Sequence, residues 1–240
     1  TITPEGITRA VAVSALTLLL SLTHKLLVKD ALTRAGRWAE KLNYMGQGVT
    51  NRKLGIVGFG NIGQELARLV QPLDMQVAAY DPQWDQAAAD TLQVQFKAFE
   101  DLLRESDYIV ICCSLNDQTY HLISRTQLQL MKPNAFLINV ARGAIVDQAA
   151  LTEALQSNRL AGAGLDVFET EPLAADDPLI RLDNTILSPH SICWTDECFR
   201  FSAESAIQSI IDVAQGNEPK NIVNRLALEH GRHAKLQKRA

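Results

Sequence analysis

The chain has 240 residues, 23 Lys and Arg against 27 Asp and Glu, and a formal net charge of −4 with 47% hydrophobic residues. That length allows a self-sufficient core, and the mild acidity leaves no basic field for a polyanion, so nucleic acid is excluded as a partner. The one basic cluster, Arg232 to Arg239, reads as a solvated end. Cys112, Cys113, Cys193 and Cys198 lack zinc-finger spacing and fit reduced thiols in a cytoplasmic protein.

"TITPEG" opens a helix, with Thr3 as N-cap, Pro4 at the first helical position and Glu5 in the first turn. It is expected over about 4–28, apolar nearly all round except for a stripe of Ser14, Thr17 and Ser21. The apolar run Ala10–Leu22 reads as too short to span a bilayer, so no membrane is expected. Such a helix needs a partner surface. "NYMGQGVTNRK" then reads as a linker between this helix and the rest of the chain.

From Lys53 short apolar runs alternate with helical patterns: "LGIVGFG" and "NIGQELARLVQPL", "MQVAAYD" and "QWDQAAADTL", "VQF" and "FEDLLRES", "YIVICCSL" and "TQLQLM", "AFLINVA" and "QAALTEALQSN", then "GAGLDVF" and "TILSP". Strands apolar on both faces and joined by helices predict an α/β fold, a doubly wound parallel sheet of Rossmann type. A last helix is expected over about Asp196–Gln215, closed by Gly216. The expected division is 1–195 for the sheet domain with its leading helix, and 196–240 for the return helix and tail.

Gly58-Phe59-Gly60-Asn61-Ile62-Gly63 ends a strand and opens a helix. Gly58 permits the tight turn, Gly60 the approach of a pyrophosphate, and Gly63 close packing of helix on strand. The pyrophosphate would meet free N–H groups at the positive end of the helix dipole. Asp81, eighteen residues after Gly63, suits ribose hydroxyls and repels a 2′-phosphate, which favours NAD over NADP.

Three further segments fall at strand ends on the same sheet edge: "NVARGAIVD" with Arg142, "GLDVFETEP" with Asp166, Glu169 and Glu171, and "SPH" with His190. A cation, an acid and a histidine beside a nicotinamide suit reduction of a 2-oxo acid. Arg holds the carboxylate and polarises the ketone; His protonates the developing alkoxide. A carboxylate on the far ring nitrogen fixes the tautomer. Zinc chemistry through His190 and Cys193 would need ligands from distant segments and is set aside.

"TPEG" with its helix, "LGIVGFGNIGQELA", "YDP", "LLRESD", "LMKPNAFLINVARGAIVDQAAL", "AGAGLDVFETEP" and "SPH" together resemble the D-isomer-specific 2-hydroxyacid dehydrogenase family. The resemblance implies an NAD-dependent oxidoreductase that moves a hydride between nicotinamide and a small D-2-hydroxy or 2-oxo acid. It implies catalytic roles for Arg142, Glu171 and His190, with Glu171 rather than Glu169 orienting the histidine. Cofactor contacts carry over to Gly58, Gly60, Asn61, Ile62, Gly63, Asp81, Ala141 and Asp166, the last facing the carboxamide, joined by Arg142, His190 and Cys193. It also implies a homodimer through the first helix.

Departures accompany the match. "CCSL", with Cys112 and Ser114, stands where the family usually has a histidine or similar residue and a proline, and Ser191, Ile192 and Cys193 follow "SPH" where relatives keep "IGG", with Trp194 next. Trp194 or Ile192 would then shape the pocket beside the nicotinamide, or Trp194 would be ordinary core. In the family a long segment usually precedes "TPEG" and forms most of a substrate domain. The chain as given is therefore expected to bind NAD and turn over poorly without it, leaving the last helix short of a packing partner. The rival reading is an NAD-sensing interaction module of corepressor type, without significant turnover.

Overall fold

A computed structural model describes residues 1–224, so the basic cluster at Arg232–Arg239 and the end of the expected 196–240 segment lie outside the described residues. Contacts divide the chain into two compact units, Val11–Ile192 and a smaller one formed by Thr1–Ala10 with the residues from Cys193 onward.

The larger unit holds a seven-stranded parallel sheet in the order β3-β2-β1-β4-β5-β6-β7. Its strands are β1 (Lys53–Val57), β2 (Gln76–Tyr80), β3 (Gln95–Phe96), β4 (Tyr108–Ile111), β5 (Phe136–Asn139), β6 (Gly162–Leu165) and β7 (Thr185–Leu187). Between them run α3 (Asn61–Val70), α4 (Gln86–Leu92), α5 (Phe99–Glu105), α6 (Arg125–Leu130) and α7 (Gln148–Gln156). The expected doubly wound fold is present. β1 pairs with both β2 and β4, so the chain reverses its winding there, and that crevice is where such sheets bind ligands.

Alternation along the strands splits the core in two. Ile109, Ile111, Leu137 and Leu165 face Leu102, Leu128, Leu151 and Leu155 on one side. Tyr108, Val110, Phe136 and Ile138 face Leu66, Val70, Leu18 and Leu19 on the other. Each fully buried Leu or Ile contributes about 1.5–3 kcal/mol, so both faces of the sheet are anchored.

The leading helix is not one rod over 4–28. α1 (Pro4–Thr23) stops where Lys25 takes a left-handed conformation with φ 52°, and α2 (Leu26–Arg34) follows. A 3-10 stretch, Trp38–Asn43, then precedes the expected linker and shares only Asn43 with it. No Gly or Pro marks the break. The polar stripe is also incomplete, because Ser14 is buried while Thr17 is exposed.

Contrary to the expectation from Ala10–Leu22, the helix is longer than that apolar run. Gly6–Thr23 has a mean hydropathy of 1.6 and is long and apolar enough to cross a membrane. Its apolarity has a local cause: Ala12, Ala15, Leu18, Leu19 and Leu22 are buried in the core. A Cβ on Gly164 of β6 would lie 3.0 Å from Leu22 and 3.1 Å from Leu18, so this glycine admits the helix to the sheet.

In the smaller unit, α8 (Asp196–Ala214) is capped by Thr195, whose Oγ1 accepts from the Cys198 N–H at 3.2 Å. Ile2 N–H donates to Asn221 O at 3.0 Å, tying the two chain segments together. The apolar stripe expected on this helix is exposed at Phe199, Ile207, Ile210 and Ile211. Trp194 is not core: it is 65% exposed and meets Phe199 edge-on, with centroids 5.7 Å apart.

Candidate active site

At the end of β1, Gly58 adopts φ 98°, and a Cβ there would lie 2.5 Å from Cys113 N on the neighbouring β4 connection. A Cβ on Gly63 would lie 2.2 Å from Gly58 O, so helix α3 sits directly on the turn. Gly60 differs. It caps α3 in an extended conformation without a side-chain hydrogen bond, and a Cβ there would meet nothing within 4 Å. The N-terminus of a ten-residue helix, beginning at Asn61 and Ile62, therefore offers its N–H groups and dipole on an open side.

Asp81 follows β2 and braces the same turn: Oδ2 accepts from Phe59 N–H and Oδ1 from Gln83 N–H, both at 2.8 Å. Each carboxylate oxygen keeps a further lone pair for a ribose hydroxyl. Trp84 stacks on Phe59 at 5.0 Å beneath it. The open Gly60 side, the helix end without a side-chain cap and the adjacent carboxylate fit a dinucleotide. Burial pushes the Cys112 thiol up and that of Cys113 up to about 11, so the unusual "CC" supplies packing rather than a thiolate.

Further along the same sheet edge, Asn139 at the end of β5 organises the turn that carries Arg142. It is buried; Nδ2 donates to Arg142 O at 2.9 Å and Oδ1 accepts from Ala141 N–H at 3.0 Å. The Ala141 N–H is thus already used within the turn. Arg142 is exposed, with Nη1 donating to Ala141 O at 2.6 Å. Next to it, a Cβ on Gly143 would fall 1.8 Å from Phe168 C, so the arginine turn lies against the Phe168–Glu169 peptide.

That peptide leads to Glu171. Oε1 of Glu171 accepts from Phe168 N–H at 3.0 Å, and Oε2 lies 2.8 Å from His190 Nδ1. Partial burial would raise this carboxyl, but the hydrogen bonds from His190 and Phe168 and the charges of His190 and Arg142 outweigh it and hold it below the usual range. With Nδ1 engaged, Nε2 is the nitrogen left for chemistry. His190 itself sits in the left-handed region at φ 54°. Buried Asp166 fixes the backbone beyond it: Oδ1 accepts from Ser191 N–H at 3.0 Å and Ile192 N–H at 3.2 Å.

Arg142, Glu171 and His190 thus converge, and Glu171 rather than Glu169 meets the histidine. Cys193 belongs to the other compact unit and is half-buried, while Ile192 packs partly against the core. Sequence reasoning missed Asn139, Gly143 and the clamp by Asp166. The only local signal was the position of Asn139 and Gly143 within "NVARG".

Residues 16–191 match the profile of the D-isomer specific 2-hydroxyacid dehydrogenase NAD binding domain. A glyoxylate reductase from Thermococcus gammatolerans is 40% identical over 229 residues, covering 93% of this chain and 68% of that protein. Among solved structures, a glyoxylate reductase from Paecilomyes thermophila superposes with a TM-score of 0.86 at 29% identity, covering 93% of this chain and 67% of that one. D-lactate dehydrogenase with NAD+ from Lactobacillus jensenii gives 0.81 at 29% identity, covering 90% and 68%. Cradle, sheet order and profile agree: the chain belongs to the D-isomer-specific 2-hydroxyacid dehydrogenases, NAD-dependent oxidoreductases, and carries their NAD-binding domain.

Proposed function

We propose that this site interconverts a small 2-oxo acid and its 2-hydroxy acid, the D isomer where that carbon is a stereocentre, with glyoxylate, reduced to achiral glycolate, the leading substrate. The observation that carries the reading is the 2.8 Å contact of His190 Nδ1 with Glu171 Oε2 beside Arg142. The similarity to glyoxylate reductases supports a short substrate. Bound NADH supplies the hydride.

The chain's residues do the rest. Arg142 leaves Ala141 O and pairs its guanidinium with the substrate carboxylate through parallel N–H donors. His190 Nε2 gives its proton to the carbonyl oxygen as negative charge develops there, and takes it back in the reverse direction. Glu171 keeps Nδ1 protonated and stabilises the imidazolium. Asp81 would accept from the ribose hydroxyls, and Gly60 with the α3 N-terminus would receive the pyrophosphate. Asp166 would face the carboxamide while its other contacts hold the turn beyond His190.

The test is nicotinamide absorbance of the full-length protein with NADH and a panel of 2-oxo acids. NADH consumption is expected, fastest with glyoxylate. NADH binding without turnover on any member would replace this reading with the sensing module. A homodimer through the first helix belongs to the same proposal, supported by the exposed Val13, Leu26 and Leu27. Sedimentation should give twice the chain mass; a monomer at micromolar concentration rejects it.

A further inference from the structure

A second histidine–glutamate pair lies beside the first and shares its loop. Glu169 and Glu171 are two residues apart, yet Glu169 turns the other way. Its Oε1 accepts from Gln148 N–H at 2.9 Å and lies 2.7 Å from His121 Nε2, while its own N–H donates to Gln148 Oε1 at 3.1 Å. His121 is on the connection between β4 and α6. Like His190, it sits in the left-handed region, at φ 48°. Its ring stacks on Tyr120 with centroids 4.1 Å apart.

Two features set this histidine apart from ordinary packing. Nε2 is buried, and although it is close to Glu169 it makes no hydrogen bond of good alignment. A buried ring nitrogen without an aligned partner carries a cost that an apolar side chain would avoid, and the left-handed backbone adds strain of its own. In addition, the backbone around His121 is laced to the arginine turn. His121 N–H donates to Ala144 O at 2.8 Å, Ile123 N–H to Ile145 O at 3.0 Å, and Ile123 pairs with Val146.

We infer that His121 is a positioning residue for the reaction proposed above. Through Glu169 it sets the loop that aims Glu171 at His190, and through Ala144 it sets the turn that presents Arg142. The Phe168–Glu169 peptide is where the two arms meet, since Gly143 lies against it and Phe168 N–H holds Glu171. A shift of that peptide moves both groups that must face the substrate together. Displacements on the scale of an ångström cost catalysis heavily.

The test uses His121→Asn, which tolerates the left-handed backbone but is too short to reach Glu169. A fall in kcat of about tenfold is expected with KM for NADH unchanged. Amide exchange should quicken at Phe168 and Glu169 but not in α3. Glu169→Gln, nearly isosteric, should lower kcat to a similar extent, and the double variant no further than either single. Wild-type kcat and wild-type exchange in His121→Asn would overturn the inference, as would additive losses in the double variant. The inference rests on the proposed reaction, but the two fail separately. A wild-type protein that reduces no 2-oxo acid removes the reaction, while amide exchange still decides whether His121 holds the loop.

Discussion

The cofactor cradle and the catalytic cluster sit on one sheet edge but are built in opposite ways. The cradle is contiguous: Gly58 to Gly63 supply the turn and helix end, and Asp81 at the next strand braces it through Phe59. The cluster is assembled from the ends of β5, β6 and β7, with no two of Arg142, Glu171 and His190 closer than nineteen residues. Local backbone requirements specify the first. The second depends on contacts between loops, so one misplaced peptide disturbs several groups at once.

The largest effect that separates them should come from His190→Asn. Asparagine keeps the left-handed conformation, so the change removes the acid–base group while preserving the turn. A loss in kcat of about two to four decades is expected, with NADH affinity close to wild type. Fluorescence titration of NADH alongside steady-state rates checks both halves. An equal collapse of NADH affinity would show that cradle and cluster are not separable units.

Next in size is a pair of alanine substitutions. At Gly143 a Cβ would meet Phe168 backbone 1.8 Å away, and backbone yields poorly, so Gly143→Ala should cost about 1–3 kcal/mol in stability and lower kcat as well. A Cβ at Gly60 would meet nothing within 4 Å among the described residues, so stability should change by less than about 0.5 kcal/mol. NADH binding should nonetheless weaken roughly tenfold or more, because the side facing the pyrophosphate is then occupied. Thermal melts and NADH titrations of both variants decide it. If Gly60→Ala binds NADH as wild type does, the open side of α3 is not the pyrophosphate site.

That difference in construction also explains what the sequence disclosed. The central strands β1, β4, β5 and β6 stand out as apolar runs because a parallel sheet buries them on both faces, whereas the exposed two-residue edge strand β3 was marked only by "VQF". The glycine turn was readable because the positive φ of Gly58 and the contact of Gly63 with Gly58 O are demands made within six residues. Asn139, by contrast, is one polar residue ending an apolar strand, and nothing local says that its amide will hold Arg142. Lys25 breaks the first helix without any Gly or Pro to announce it. His121 and Glu169 are 48 residues apart, and their contact exists only after three loops have folded against one another. The exposure of Trp194 was equally hidden, since an aromatic at a helix start reads as core until its surroundings are known.

The smallest predicted effect concerns acid stability and tests whether the cluster is coupled electrostatically. Glu171 is held below the usual carboxylate range, burial being outweighed by His190 and Phe168 hydrogen bonds and by the positive charges nearby. A carboxyl depressed on folding stabilises the native state above its unfolded value of about 4.3, and that contribution is lost as pH falls through the lower folded value. Glu171→Gln keeps an oxygen to accept from Phe168 but carries no charge for His190. The variant should therefore be less stable than wild type near neutrality, and the gap should close as the pH falls through the depressed folded value. Because the Glu171 and His190 side chains are 36% and 45% exposed, solvent screens the pair and the gap should be small. Urea midpoints measured across that range give the answer. The absence of any gap across the range would mean that Glu171 acts on the fold only through its hydrogen bond to Phe168, which glutamine keeps, and that the charge beside His190 is reserved for the reaction.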